Sequence, residues 1–318
     1  MSFDVCLHIS DALGRYGFGP GHPFNENRMD AFWREAQRRG LHQQVEVLET
    51  RPATRAELAR FHHPGHIVRV ESLSMTGDGY LDQGDTPAFK GVFEAASHVV
   101  GATLDGLARI MDGRVKRAFV PIAGLHHARP DGAAGFCVFN DCGVVIATLR
   151  EQYDIKKIAY VDIDAHHGDG VFYAFESDPD LIFADLHEDG HYLYPGTGAA
   201  SEQGSGPGKG KKLNIPLPPQ TDDKAFFQEW QRVEAFVREA EPDFILLQCG
   251  ADSIRNDPLT HMGLTPAAHG HVAARLVNIA DELGHGRVMA VGGGGYDMTN
   301  LAEAWCEVVA SLVGNKSS

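Results

Sequence analysis

Eight short, β-rich apolar runs, at positions 3–9, 45–49, 118–122, 157–163, 181–186, 212–215, 244–248 and 288–291, alternate with longer amphipathic stretches at 25–39, 91–111, 222–240, 266–283 and 299–313. Strand-length runs separated by helix-length amphipathic segments predict an α/β fold, a parallel sheet covered by helices on both faces. No linker, repeat or low-complexity block interrupts the pattern. Residues 1–318 are therefore expected to form one domain, large but ordinary for this class.

Charge and cysteine usage narrow the partners and the setting. A formal net charge of −15 opposes broad binding to nucleic acid or to anionic membranes, whose surfaces are also negative. It suits a partner that presents cationic, lysine-rich segments. The cysteines (Cys6, Cys137, Cys142, Cys249 and Cys306) are odd in number, scattered and without a CxxC pair. This spacing predicts reduced, mostly buried thiols, with Cys137 and Cys142 as fillers rather than nucleophiles. No basic region followed by an apolar stretch opens the chain, and no apolar run reaches transmembrane length, so a soluble, cytoplasmic protein is expected.

Two glycine-rich stretches invite a phosphate-loop reading and fail it. In 204–212 no glycine stands five positions before either Gly-Lys pair, and neither lysine precedes Ser or Thr, so a surface loop is expected. Gly292 to Gly295 lack the GxGxxG spacing. They read instead as room for close backbone approach and for turning Tyr296 into a site.

The chemistry gathers at strand ends. In Tyr160-Val-Asp-Ile-Asp-Ala-His-His-Gly-Asp-Gly170 the apolar lead-in is strand-like, so Asp162, Asp164 and His166 alternate toward one face. Buried together they are costly unless a cation or a salt-bridge network offsets their desolvation. Two carboxylates with an imidazole are a normal zinc donor set, and three ligands leave positions open for water and substrate. A cluster capping the sheet by salt bridges is the alternative. His126 and His127, Asp252 and Tyr296 each follow another predicted strand, and ligands of open α/β sheets gather beyond the carboxyl ends of the strands. Zinc can polarise an amide carbonyl, tandem histidines can move protons, and a tyrosine hydroxyl can donate to a developing oxyanion. Hydrolysis of an unactivated amide needs all of these.

The runs His126-His127-Ala-Arg-Pro, Gly135-Phe136-Cys137-Val-Phe-Asn140-Asp141, Asp162-Ile-Asp164-Ala-His166-His167-Gly-Asp169-Gly, Leu186-His187, Pro195-Gly-Thr-Gly198, Gly250-Ala-Asp252 and Gly-Gly-Gly-Gly-Tyr296 resemble the histone deacetylase family, in the family's order over nearly the whole chain. Asp85-Thr-Pro-Ala-Phe-Lys-Gly and Gly19-Pro-Gly-His-Pro-Phe-Asn25 look most like the bacterial acetoin-utilisation branch. The resemblance implies the arginase/deacetylase fold with an eight-stranded parallel sheet. It implies Asp164, His166 and Asp252 as zinc ligands, and His127 as general base and acid with His126 as its electrostatic partner. Asp162 and Asp169 would orient His126 and His127 respectively. Tyr296 would polarise the acyl carbonyl and Gly135 would offer its backbone carbonyl to the substrate amide. Phe136 and Tyr194 would wall an acyl-lysine tunnel, with Asp85 gripping the substrate backbone at the rim and Arg28 near an internal acetate channel. A potassium ion is implied at the side chains of Asp162 and Asp164 and the main-chain oxygens of His166, Asp185 and Leu186.

Blander roles compete for several of these residues. Phe136 and Tyr194 could be core aromatics, His167 could simply pack on the sheet, and His62, His63 and His66 read as a structural turn. Acylated-lysine proteins or peptides are the expected substrates, with small acylated amines such as acetylpolyamines as the alternative. Relatives that prefer polyamines carry an acidic residue at the tunnel mouth, where this chain has Leu259. An arginase-like ureohydrolase or a catalytically dead acyl-lysine reader fits less well, because Tyr296 and His127 are both present.

Overall fold

A computed structural model describes residues 3–314. Met1, Ser2 and residues 315–318, which the expectations of one domain and of no leader included, lie outside the described residues. Eight strands form one sheet: β1 (Val5–His8), β2 (Glu46–Leu48), β3 (Arg117–Val120), β4 (Ile158–Asp162), β5 (Leu181–Glu188), β6 (Lys212–Leu217), β7 (Phe244–Gln248) and β8 (Val288–Val291). Their order is β2-β1-β3-β8-β7-β4-β5-β6, and every pairing is parallel.

The helices are α1 (Asp11–Gly14), α2 (Asn27–Arg38), α3 (Arg55–Leu58), α4 (Pro64–Thr76), α5 (Val92–Met111), α6 (Asp141–Tyr153), α7 (Asp169–Ala174), α8 (Asp223–Ala240), α9 (Pro266–Glu282) and α10 (Met298–Val313). Helix α5 packs on β3 and β1 with α4 and α6 beside it, while α10 packs on β3 with α2 and α9 beside it. Every residue of β1, β3, β4, β5, β7 and β8 is buried, the signature of a sheet covered on both faces. Among the described residues no helix is long and apolar enough to cross a membrane.

Each predicted strand is present, and the main differences lie in helices. The sequence pattern does not announce helices α4 and α6, nor the short α1, α3 and α7. Eight residues of α6 are buried, including Asp141, Cys142 and Gly143, so it has no polar stripe to betray its period. Helix α4 begins at Pro64, where proline suits a first helical turn, inside what reads as a histidine-bearing turn. The lysine that ends the glycine-rich loop is not on the surface. Lys212 opens β6 buried, donating to the carbonyls of Asp178 at 2.8 Å and Leu181 at 2.6 Å, and burial lowers its pKa to about 8.

The covering layer is tightly seated. A Cβ on Gly101 of α5 would lie 1.8 Å from the carbonyl oxygen of Arg51, where the Ala53 amide donates to Ser97 at 2.8 Å. Gly101→Ala is therefore expected to destabilise the protein by about 1–3 kcal/mol, the usual cost of overpacking. A lowered urea midpoint at unchanged slope is the result to look for; an unchanged midpoint would mean that the 51–53 segment yields freely.

Candidate active site

The central strands, in the order β3-β8-β7-β4, carry all the predicted polar clusters at their carboxyl ends. Between β3 and β4 the chain leaves a gap that β7 and β8 later fill, the kind of topological switch at which α/β sheets bind ligands. His126 and His127 follow β3, Asp164 and His166 follow β4, Asp252 follows β7, and Tyr296 follows β8. Strand β4 stops at Asp162, so Asp164 and His166 enter from a loop rather than by continued alternation along the strand.

Asp164, His166 and Asp252 offer one ligand atom each within 4.8 Å of one another. Nδ1 of His166 lies 3.0 Å from Oδ1 of Asp164 and 3.0 Å from Oδ2 of Asp252. Asp162 is not in this group. Burial and the charge of Asp164 push Asp252 up to about 7. Burial would raise Asp164 as well, but His126, His166 and Gln248 hold it well below the usual carboxylate range. Burial would depress His166, yet the hydrogen bonds and charges of both carboxylates hold it well above the ordinary imidazole range. Converging lone pairs on two buried carboxylates and one imidazole demand positive charge at their centre, and this donor set fits a divalent cation.

Two histidine–aspartate pairs stand alongside. Nδ1 of His126 is 2.8 Å from Asp162 and Nδ1 of His127 is 2.6 Å from Asp169. The Nε2 atoms of the two histidines face each other at 3.1 Å. One of the two must donate and the other accept. Burial, then the neighbouring His126, lowers the His127 pKa, which keeps that imidazole neutral and able to take a proton. Asp162 also accepts the Tyr160 hydroxyl at 2.5 Å, and its partner across the β4–β5 pairing is Asp185. Burial and the charges of Asp185 and Asp164 push Asp162 well above its usual range, so a second positive charge would suit this edge of the site. Asp185 itself accepts from the Gly168 amide at 2.9 Å and lies 2.7 Å from Nδ1 of His187, while Leu186 is buried beside it in β5.

The glycines before Tyr296 are required by close approach. A Cβ on Gly294 would lie 2.1 Å from Oδ2 of Asp252, and the Gly294 amide donates to Asp164 at 2.8 Å. Gly295 has φ +120°, open to glycine alone. Arg28, wholly buried, donates from Nε to the Gly295 carbonyl at 2.9 Å and from Nη2 to the Gly293 carbonyl at 2.6 Å. The ring of Tyr296 meets Phe136 edge-on with centroids 6.0 Å apart. Burial, with the charges of Asp252 and Asp164, raises the Tyr296 pKa well above normal, so its hydroxyl stays a donor.

Above these groups a cleft of about 460 Å³ is lined by Asp82, Asp85, Arg129, Asp169, Tyr194 and Thr197, among others. Tyr194 is 45% exposed, too open for a core aromatic, and its ring lies 5.1 Å from that of His127. Phe136 follows Gly135 (φ +52°) in a left-handed turn with φ +66°; the Tyr16 hydroxyl donates to its carbonyl at 2.6 Å. Asp85 is exposed on a loop that Asp82 organises, accepting amides of Gly84, Asp85 and Thr86 at 3.0, 3.1 and 2.9 Å. Partial desolvation of its carboxyl on the cleft rim, then the neighbouring Asp82, push Asp85 up to about 6. Leu259 is half-buried on the loop that follows Asp252.

His62, His63, His66 and His167 have structural roles. His62 lies 3.1 Å from the Arg129 carbonyl and accepts the Asn140 amide at 2.8 Å, and His66 donates to the Val138 carbonyl at 2.8 Å. The His63 amide donates to the Pro130 carbonyl at 2.8 Å, so the three together fasten the 129–140 segment. His167 bonds Thr197 at 2.8 Å and packs on Phe172. All five cysteines are free and buried, and burial pushes the Cys137 and Cys142 thiols well above normal. Sequence reasoning missed Gln248, whose amide donates to Asp164 at 2.8 Å and to the Gly124 carbonyl at 3.2 Å. It also missed Asp82 and Asp257.

The family model of the histone deacetylase domain matches residues 22–312. The chain belongs to the histone deacetylase family. It is 35% identical to the acetoin utilization protein AcuC of Bacillus subtilis (strain 168), over 98% of this chain and 82% of that protein. It is 33% identical to the histone deacetylase RPD3 of Saccharomyces cerevisiae, over 95% of this chain and 70% of that protein. The crystal structure of the HDA15 HD domain superposes with a TM-score of 0.91 at 28% identity, covering 100% of this chain and 91% of that one. Fold and sequence together make this protein a hydrolase of the deacetylase type, with the arginase/deacetylase architecture.

Proposed function

We propose that this deacetylase hydrolyses the side-chain amide of acetyl-lysine, or of a related short acyl-lysine, in a protein or peptide, releasing free lysine and the carboxylate. The observation that carries the reading is the pair of facing imidazoles, each backed by a carboxylate, with Nε2 of His126 3.9 Å from Oδ1 of Asp164. Asp164, His166 and Asp252 would hold one zinc ion. When bound, such an ion supplies Lewis acidity toward the acyl carbonyl and toward a water nucleophile. His127, neutral and oriented by Asp169, takes a proton from water and returns one to the leaving lysine amine. His126, oriented by Asp162, supplies the facing charge. Tyr296 donates to the carbonyl oxygen as negative charge grows there. Phe136 and Tyr194 wall the acyl-lysine stem, Gly135 accepts from its amide, and Leu259 shapes the mouth. A potassium ion at Asp162, Asp164, His166, Asp185 and Leu186 would offset the clustered carboxylates. The reading extends to one catalytic domain working in a bacterial cytoplasm, in keeping with five reduced cysteines.

Asp85 would grip the substrate backbone, which it can do only when ionised. With its pKa at about 6, the carboxylate accepts substrate amides above that pH and loses this ability as pH falls through it. KM for a peptide is therefore expected to climb below about pH 6, and Asp85→Asn to flatten that limb. A KM that ignores pH in wild type would remove Asp85 from the rim contact.

The negative mouth formed by Asp82 and Asp85 also favours a second reading, small cationic amines such as acetylpolyamines. A panel of acetyl-, propionyl-, lactyl- and longer acyl-lysine peptides, assayed beside acetylpolyamines with a chelator control, separates the two. Higher kcat/KM on an acyl-lysine peptide, abolished by chelation, is expected. Preference for the polyamine would replace the substrate class, and chelator-resistant turnover would remove the metal.

A further inference from the structure

Tyr296 is reached through four consecutive glycines, which have no side chains to pack, so the path of the backbone into Tyr296 is set by hydrogen bonds. Asp257 touches the Tyr296 backbone directly. Its Oδ2 accepts the Tyr296 amide at 2.8 Å and its Oδ1 accepts the Leu259 amide at 2.9 Å. Asp257 is 6% exposed and makes no salt bridge among the described residues. A buried, unpaired carboxylate spent on two main-chain amides is costly, and position is what it can give in return. Its own backbone is pinned: Asn256 before it has φ +67° and the Asp257 amide donates to the Ile254 carbonyl at 3.2 Å. On the other side of the same peptide unit, Arg28 holds the Gly295 carbonyl. The peptide that launches Tyr296 is thus gripped at both its oxygen and its nitrogen.

We infer that Asp257 is a positioning residue of the reaction: it latches the Tyr296 backbone to the Leu259 turn, so that the carbonyl donor and the mouth of the tunnel are set by one carboxylate. The inference rests on the role given to Tyr296 above. No catalytic contact with substrate is assigned to Asp257 itself. Because its action runs through Tyr296, its loss matters only where the tyrosine hydroxyl is present, whereas a residue that merely supports the fold would cost the same in any background.

The test is a double-mutant cycle on the zinc-loaded enzyme with an acetyl-lysine peptide, using Asp257→Ala and Tyr296→Phe singly and together. Asp257→Ala should lower kcat by about 10–100-fold, as a displaced reacting group does. In the Tyr296→Phe background the same substitution should change kcat by less than about twofold, the mark of strongly coupled sites. Asp257→Asn keeps one acceptor and should fall between wild type and the alanine variant, which guards against a misfolded Asp257→Ala. Fluorine NMR of 3-fluorotyrosine placed at position 296 reads the geometry without reference to turnover, and its resonance should shift or broaden in both Asp257 variants. If the resonance moves while no acylated lysine is cleaved even by wild type, the substrate reading fails and the latch stands. An unmoved resonance, or equal kcat losses in both backgrounds, overturns the latch.

Discussion

Tyr296→Phe should lower kcat on an acetyl-lysine peptide by about 10²–10³-fold, the usual cost of losing one oxyanion donor. The tyrosine keeps its proton because burial and the nearby Asp252 and Asp164 charges hold its pKa far above normal. It therefore donates throughout the neutral range, and phenylalanine keeps the ring against Phe136 while removing only that donor. Metal content and thermal stability should remain at wild-type levels, since the substitution leaves Asp164, His166 and Asp252 in place and keeps the ring. KM should change little, because the bond strengthens as charge develops and contributes little to the ground state. Wild-type kcat in this variant would take the tyrosine out of the reaction.

Asp252→Ala should abolish turnover and strip the metal. Removing one of three converging ligands leaves Asp164 and His166 alone, too few for a stable catalytic zinc site. Elemental analysis after dialysis should find about one zinc per chain in wild type and far less in the variant. Binding to the folded state alone stabilises by about 4 kcal/mol at a thousandfold excess over Kd, so a chelator should lower the wild-type Tm and leave that of Asp252→Ala unmoved. Full occupancy in the variant would remove Asp252 from the ligand set.

The sheet was legible because strands buried on both faces read as apolar runs, a mark clearest in β1, β3, β4, β5, β7 and β8 and weakest in the edge strands β2 and β6. Helix α6 was not, since burial on nearly every side erases the polar stripe on which periodicity depends. In the site, Asp164, His166, His126 and His127 stood out as polar residues packed tightly behind apolar strands. Gln248 closes an apolar strand as a single amide, a weaker version of the same signal. Asp257 sits in Asn-Asp-Pro, which reads as ordinary turn chemistry, and Asp82 stands in a polar loop with no motif around it. Both act chiefly on backbone amides, with the Thr86 hydroxyl as a further partner of Asp82, so nothing at the level of residue spacing marks them.

The strand order also governs when the molecule can first work. Strand β8, the last of the eight in chain order, slots between β3 and β7, and without it the histidine pair and the proposed metal ligands belong to two unjoined half-sheets. A chain cut before Val288 keeps every proposed zinc ligand but loses the strand pairings that set them against His126 and His127. Hydrolytic competence thus depends on pairings between distant parts of the chain, which are intrinsically slow to form.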